Sequence, residues 1–107
     1  MIGVDFGLVI PNPRLSIAEH CVKPWSTPSF AECQKDLERY AKKAGIALDV
    51  PFEELPSEDR WWILEGDPDW TGDWDHQWYG VRHFFEWLET KSYKMHIRVL
   101  LSRYRSY

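Results

Sequence analysis

The sequence is poor in cysteine: Cys21 and Cys33 are its two thiols. A structural zinc centre needs about four ligands. Cys21, Cys33 and His20 supply no paired Cys-x-x-Cys half-site, so no metal site is expected from these residues. Long apolar runs are missing as well, and none approaches the roughly 18 residues of a membrane span. The start MIGVDFGLVIPNP has no basic region and breaks at two prolines, which does not read as a signal peptide. Free thiols and a cytoplasmic setting are therefore expected. Neither G-x-x-x-x-G-K-[ST] nor G-x-G-x-x-G occurs, so no nucleotide site is assigned. His20, His76, His83 and His96 have no nucleophile motif beside them. Carboxylates are plentiful, but nothing selects an acid–base pair. No catalytic residue is assigned, and the chain by itself is not expected to be an enzyme.

One further absence carries more information. All 17 acidic residues fall between Asp5 and Glu89, and the last 17 residues contain none. That C-terminal segment holds Lys91, Lys94, Arg98, Arg103 and Arg105, a net +5. Upstream, eight bases stand against 17 acids, a net −9. Such asymmetry points to a polyanionic partner for the tail, or to a basic helix that pairs with its own acidic body. The chain is also rich in large aromatics, with seven Trp, five Tyr and five Phe in 107 residues. They can fill a core, serve an interface or stack on bases.

The pattern predicts one domain over residues 1–107, mainly α with a short N-terminal β element (α+β). Residues 1–25 read as that β element and a proline corner, and 26–107 as mostly helical. Val4 to Ile10 is strand-like and ends at Pro11-Asn12-Pro13. Leu15 to Val22 reads as a second short strand or a turn. A helix follows, with Thr27 and Ser29 as candidate N-caps and Ser29-x-x-Glu32 as a capping box. Phe30, Cys33, Leu37, Tyr40, Ala41 and Ala44 recur at helical spacing, Glu38 and Lys42 form an i,i+4 pair, and Gly45 ends the helix. Ser57 caps a short helix that carries Trp61, Trp62, Ile63 and Leu64 and stops at Gly66. Val81, Phe84, Phe85 and Leu88 mark the next helix face. Ser92 caps the last helix, with Tyr93, Ile97, Leu100, Leu101 and Tyr104 on its apolar side.

Between the helix that stops at Gly66 and the face that begins at Val81 lies DPDWTGDWDHQWYG, residues 67–80. Counted from Asp67 it has acids and a glycine where a calcium loop would, but its twelfth position is Trp78, not a bidentate Glu. A solvated acidic loop is expected instead. Trp70, Trp74 and Trp78 are spaced by four; they read as staples to the core, or as an aromatic anchor for a protein partner. In KSYKMHIRVLLSRYRSY the cations alternate with Tyr93, Tyr104 and Tyr107. Cations neutralise phosphates and tyrosines stack on bases, and Lys91, Lys94 and Arg98 follow at intervals that share one helix face.

The strings themselves resemble a known family. Trp78 to Tyr107, WYGVRHFFEWLETKSYKMHIRVLLSRYRSY, is similar to a stretch of UvrA, the A subunit of the bacterial excinuclease ABC. In that family the stretch runs into a Cys-x-x-Cys-x-Gly-x-Arg-Leu zinc module. LVIPNPRLSIAEHCVKPW, Leu8 to Trp25, resembles the segment after the preceding Cys-x-x-Cys half. PFEELPSEDRWWILEGD, Pro51 to Asp67, resembles a further family segment. The resemblance implies an insertion domain that flanks or clamps DNA. It implies a parent resembling ABC-type ATPases that binds ATP and zinc, dimerises with a second UvrA, scans double-stranded DNA for damage and loads UvrB. Cys21 and Cys33 do not match the family's zinc ligands, so ATP and zinc are implied for the parent and no cofactor for this segment. The expected DNA contacts are Lys91, Lys94, Arg98, Arg103 and Arg105. The alternative expectation is a docking module for UvrB or another part of the parent, anchored by Trp70, Trp74 and Trp78.

Overall fold

Helices whose apolar residues recur at helical spacing close around an aromatic centre. The computed structural model describes residues 3–106. In chain order these residues form β1 (Gly3–Val4), α1 (Phe6–Val9), α2 (Ala31–Lys43), α3 (Ser57–Glu65), α4 (Gly80–Glu89), α5 (Met95–Ser102) and β2 (Arg105–Ser106). Tight helical turns at Lys23–Ser26, Pro28–Phe30 and Phe52–Glu54 join them. The fold is mainly α, as the periodicity predicts. Among the described residues no helix is long and apolar enough to cross a membrane.

The β element differs from the expectation. Among the described residues the strand covers Gly3–Val4, because Asp5 starts a helix: its Oδ1 accepts the Gly7 amide at 2.8 Å and caps α1. β1 finds its partner in β2, antiparallel, with Gly3 opposite Ser106 and Val4 opposite Arg105. The Asp5 amide donates to the Tyr104 carbonyl at 2.8 Å, beside this ladder. Residues 15–22 form a turn, and Ser16 makes a single bridge to Pro51.

The capping box also falls in a different place. α2 follows directly from the Pro28–Phe30 turn and has no side-chain cap. The reciprocal bonds occur instead at Ser16 and Glu19: the Ser16 amide donates to Glu19 Oε1 at 3.0 Å, and the Glu19 amide to Ser16 Oγ at 3.2 Å. At the other end of α2 the Gly45 amide bonds the Lys42 carbonyl and the Ile46 amide the Ala41 carbonyl, a Schellman ending that buries Ile46. Leu37 and Ala41 are buried as predicted, while Ala44 is exposed. Gln34 is buried too, and its Nε2 donates to the Ile17 carbonyl at 2.8 Å. Glu38 accepts from Gln34 rather than pairing with Lys42; the ion pairs on this helix are Glu32–Lys35 and Asp36–Arg39. α3 begins at Ser57 with Pro56 as its cap, and α5 begins at Met95 with Lys94 as its cap, so neither predicted serine cap is made.

Trp25 is the hub of the core. Its ring meets the edges or faces of Trp78, Tyr79 and Phe84 at 5.6, 6.3 and 5.4 Å, each nearly perpendicular. Trp78 stacks on Trp62 at 5.4 Å and donates its Nε1 to the Trp62 carbonyl at 3.0 Å. α3 and α4 cross where Gly66 meets Gly80, and the Asp67 amide bonds the Trp78 carbonyl at 2.8 Å. Arg82 grips both oxygens of Glu65 across this crossing. Those donors hold the Glu65 carboxyl below its ordinary value.

Candidate nucleic-acid interface

α5 is held by one side. Ile97, Leu101 and, just beyond it, Tyr104 are buried against the body. Helical geometry then sends Met95, Arg98, Val99 and Ser102 outward, and all four are exposed. Lys94 at the mouth of the helix, and His96 and Arg103 along its flank, are exposed too.

The five predicted cations part company here. Arg105 is half-buried and ion-paired with Glu89 of α4. It serves the closure of the domain, as the reading of a basic segment paired with its acidic body expects. Lys91 is half-buried in the turn after α4. Among the described residues Lys91, Lys94, Arg98 and Arg103 enter no salt bridge. Arg98 Nε donates to the Ser92 carbonyl at 3.0 Å, which braces the turn and leaves the rest of the guanidinium outward. Lys94 Nζ lies 5.9 Å from the centre of the Tyr93 ring, within cation–π range. Because α5 starts at Met95, helical spacing does not extend back to Lys91. Arg103 instead stands four residues from Val99, on the same side of the helix end. Tyr104 is in the core and Tyr107 lies outside the described residues.

The tryptophans of residues 67–80 are placed in three ways. Trp78 is buried, Trp70 is half-buried and stacks on His83 at 4.8 Å, and Trp74 is exposed while packing over Tyr79 at 4.8 Å. Gln77 fastens the loop by accepting from Thr71 at 2.9 Å and donating to the Asp69 carbonyl at 2.8 Å. Two of the four aspartates are occupied locally: Asp67 accepts the Asp69 amide, and Asp73 the amides of Asp75 and His76. Among the described residues no three His, Cys, Asp or Glu side chains gather where they could hold a metal. Cys21 is in the core, where burial raises its thiol to about 11, and burial likewise raises Cys33. These residues do not fit the zinc that the resemblance implies for the parent.

One feature escaped the sequence reading. Phe30, Cys33, Trp74, Tyr79, Phe84 and Trp87 line a groove between α2 and α4, with Glu32 and Asp36 on its rim. The Tyr79 hydroxyl donates to Asp36 Oδ2 at 2.9 Å, and burial raises its pKa. Trp87 is 44% exposed. Its position off the stripe of Val81, Phe84, Phe85 and Leu88 was the available signal.

Comparison with known proteins gives a consistent result. The family model described as the UvrA DNA-binding domain matches residues 5–99. UvrABC system protein A of Bacillus subtilis (strain 168) is 39% identical over 68 residues, covering 64% of this chain and 7% of that protein. The protein of the same name from Streptococcus pneumoniae serotype 4 is 37% identical over 65 residues, covering 61% and 7%. That of Streptococcus pyogenes serotype M3 is 35% identical over 68 residues, covering 64% and 7%. The chain thus spans 7% of the length of these curated relatives. The crystal structure of UvrA2 from Deinococcus radiodurans matches in fold, with a TM-score of 0.72 over 99% of this chain and 15% of that one, at 22% identity. Since the family match takes in α1 to α4 and the first turn of α5, the chain belongs to the family of UvrA DNA-binding domains.

Proposed function

We propose that this domain is an accessory clamp on duplex DNA within a UvrA damage-recognition protein of nucleotide excision repair. The observation that carries the reading is the solvent face of α5 and its preceding turn. There Lys94, Arg98 and Arg103, with Lys91 beside them, have no acidic partner among the described residues, in a segment without Asp or Glu. The remainder of the chain carries a net −9. A polyanion is repelled from that body and attracted to this one face, which orients the domain as well as binding it. Contacts of this kind read phosphates and not sequence. Arg105 is left out of the interface, because Glu89 already holds it. A single small face gives weak affinity, and joining several such faces in a parent dimer multiplies it by effective concentration. ATP hydrolysis, zinc binding and transfer of DNA to UvrB belong, in this reading, to other parts of the parent.

The test is duplex binding by the 107-residue chain across a salt series. Each neutralised phosphate contributes about −0.9 to the slope of log affinity against log salt. Replacing Lys94 and Arg103 by Glu is expected to weaken binding by at least about tenfold and to flatten the slope by about 2. Both residues are exposed, so the fold is retained. A salt-independent affinity, or full affinity in the double variant, would sink the proposal.

A second reading has its own observation in the groove between α2 and α4. Its walls are aromatic, its charged rim residues are Glu32 and Asp36, and Trp74 and Trp87 are 41% and 44% exposed. That chemistry suits an arginine-bearing segment of a protein, through cation–π contact and carboxylate pairing. UvrB or another part of the parent is the proposed occupant. Trp74→Ala with Trp87→Ala is expected to reduce capture of purified UvrB, or of the parent lacking this domain, by more than about tenfold. Equal capture of both by the wild type and the variant removes this reading.

A further inference from the structure

Tyr93 and Met95 are 70% and 69% exposed, while every other exposed large hydrophobic residue among those described lies between 40% and 51%. They flank Lys94 at the tip between α4 and α5. Burial cannot explain them, since neither packs in the core. The tip is nevertheless held. The Lys94 amide bonds the Lys91 carbonyl at 3.0 Å, the Ser92 amide bonds the Glu89 carbonyl at 3.1 Å, and Arg98 reaches back to the Ser92 carbonyl. An apolar pair on a braced turn loses little freedom on binding. Val99 extends the apolar strip one turn along α5. Cations surround the strip, and no carboxylate occurs in the segment.

We propose that Tyr93 and Met95 form a wedge for unstacked bases, which makes DNA with an opened step a better ligand for this domain than intact duplex. The inference rests on the DNA-clamp reading and gives it a substrate preference. In intact duplex the base faces are covered by their neighbours and the protein meets phosphates. At an opened step a base face is free, and tyrosine stacks on it whatever the sequence. Methionine belongs to the apolar side chains that enter such steps. The cations would then supply attraction to any duplex, and the wedge would supply the discrimination.

The experiment compares one labelled duplex with the same duplex carrying a short unpaired bubble, at one salt concentration, using the 107-residue chain. The wild type is expected to bind the bubble on the order of tenfold more tightly. Tyr93→Ala with Met95→Ala should erase this preference while keeping duplex affinity and salt slope. Tyr93→Phe should preserve it, since the ring remains. Equal binding of bubble and duplex by the wild type overturns the wedge and leaves the clamp standing. Failure to bind either DNA overturns both. Anionic phospholipid vesicles form the last arm. Vesicle binding that is lost with Tyr93 and Met95, without a bubble preference, assigns the tip to a lipid surface and overturns the proposal.

Discussion

Trp78→Ala is expected to leave much of the chain unfolded, whereas Trp74→Ala leaves it folded. Trp78 is 1% exposed and touches the rings of Trp25, Tyr40, Trp62 and Tyr79. Truncating a buried tryptophan to alanine costs about 3–5 kcal/mol. The lost bond from Nε1 also strips the Trp62 carbonyl of a partner, which adds about 1 kcal/mol. A chain of this length has roughly 5–15 kcal/mol of total stability, so the substitution removes a large share. Trp74 is 41% exposed, and its removal should cost about 1 kcal/mol or less by comparison with other surface changes. Urea unfolding followed by circular dichroism distinguishes the two. A Trp78→Ala midpoint equal to that of the wild type would contradict the packing described here. The comparison also bears on docking experiments: loss of capture in a Trp78 variant reports unfolding, and loss in a folded Trp74 variant reports a contact.

Gly80→Ala should be comparably severe, for a backbone reason. Gly80 has φ +74° and Gly66 has φ +88°. A Cβ on Gly80 would lie 2.7 Å from both the Glu65 carbonyl carbon and Gly66 Cα, with the Gly66 amide nitrogen closer still. A Cβ on Gly66 would lie 2.6 Å from the Tyr79 carbonyl oxygen. These neighbours are main chain and cannot rotate away. Strain at such a φ and the forced separation of two backbones together cost on the order of 4 kcal/mol. Gly72 supplies the control. Its φ is +90° but nothing lies within 4 Å of its would-be Cβ, so Gly72→Ala should cost only about 1–2 kcal/mol. Because Gly66 and Gly80 share one crossing, their alanine variants should be less than additive in the double variant. Equal unfolding midpoints for Gly80→Ala and Gly72→Ala would show that the crossing can open without penalty.

Much of the helical interior was legible because one face of a helix repeats. Val81, Phe84, Phe85 and Leu88 are all buried, as their spacing requires. The same rule misses Gln34, a polar residue that is buried because Ile17 offers it a carbonyl 17 residues away. The Ser-x-x-Glu pattern occurs twice, at Ser16 and at Ser29, and composition cannot choose between them. Chain geometry can: Ser29 sits inside a tight turn that runs straight into α2, so its side chain is not at the helix mouth. β1 and β2 have two residues each, too few for any alternation to show. The candidate interface was legible as a charge pattern. Which of its cations are free was not, since the Arg105–Glu89 pair depends on how the tail folds back on α4.

That two-rung ladder also has a mechanical meaning. The chain enters at Gly3 and leaves at Ser106, on facing positions of antiparallel strands. Tension applied through these two ends acts across the rungs and parts them one after another, as a zipper opens, without loading them together in shear. The outermost pair yields first, then Val4 and Arg105, then the bond from Asp5 to Tyr104. The Arg105–Glu89 pair adds a side-chain restraint at the second rung, and past the Asp5–Tyr104 bond the force reaches the aromatic core through buried Tyr104. The base of the domain is therefore compliant and its body stiff. A neighbouring element that tugs on the two ends would tilt or extend the domain at its root before it disturbed the face that α5 presents.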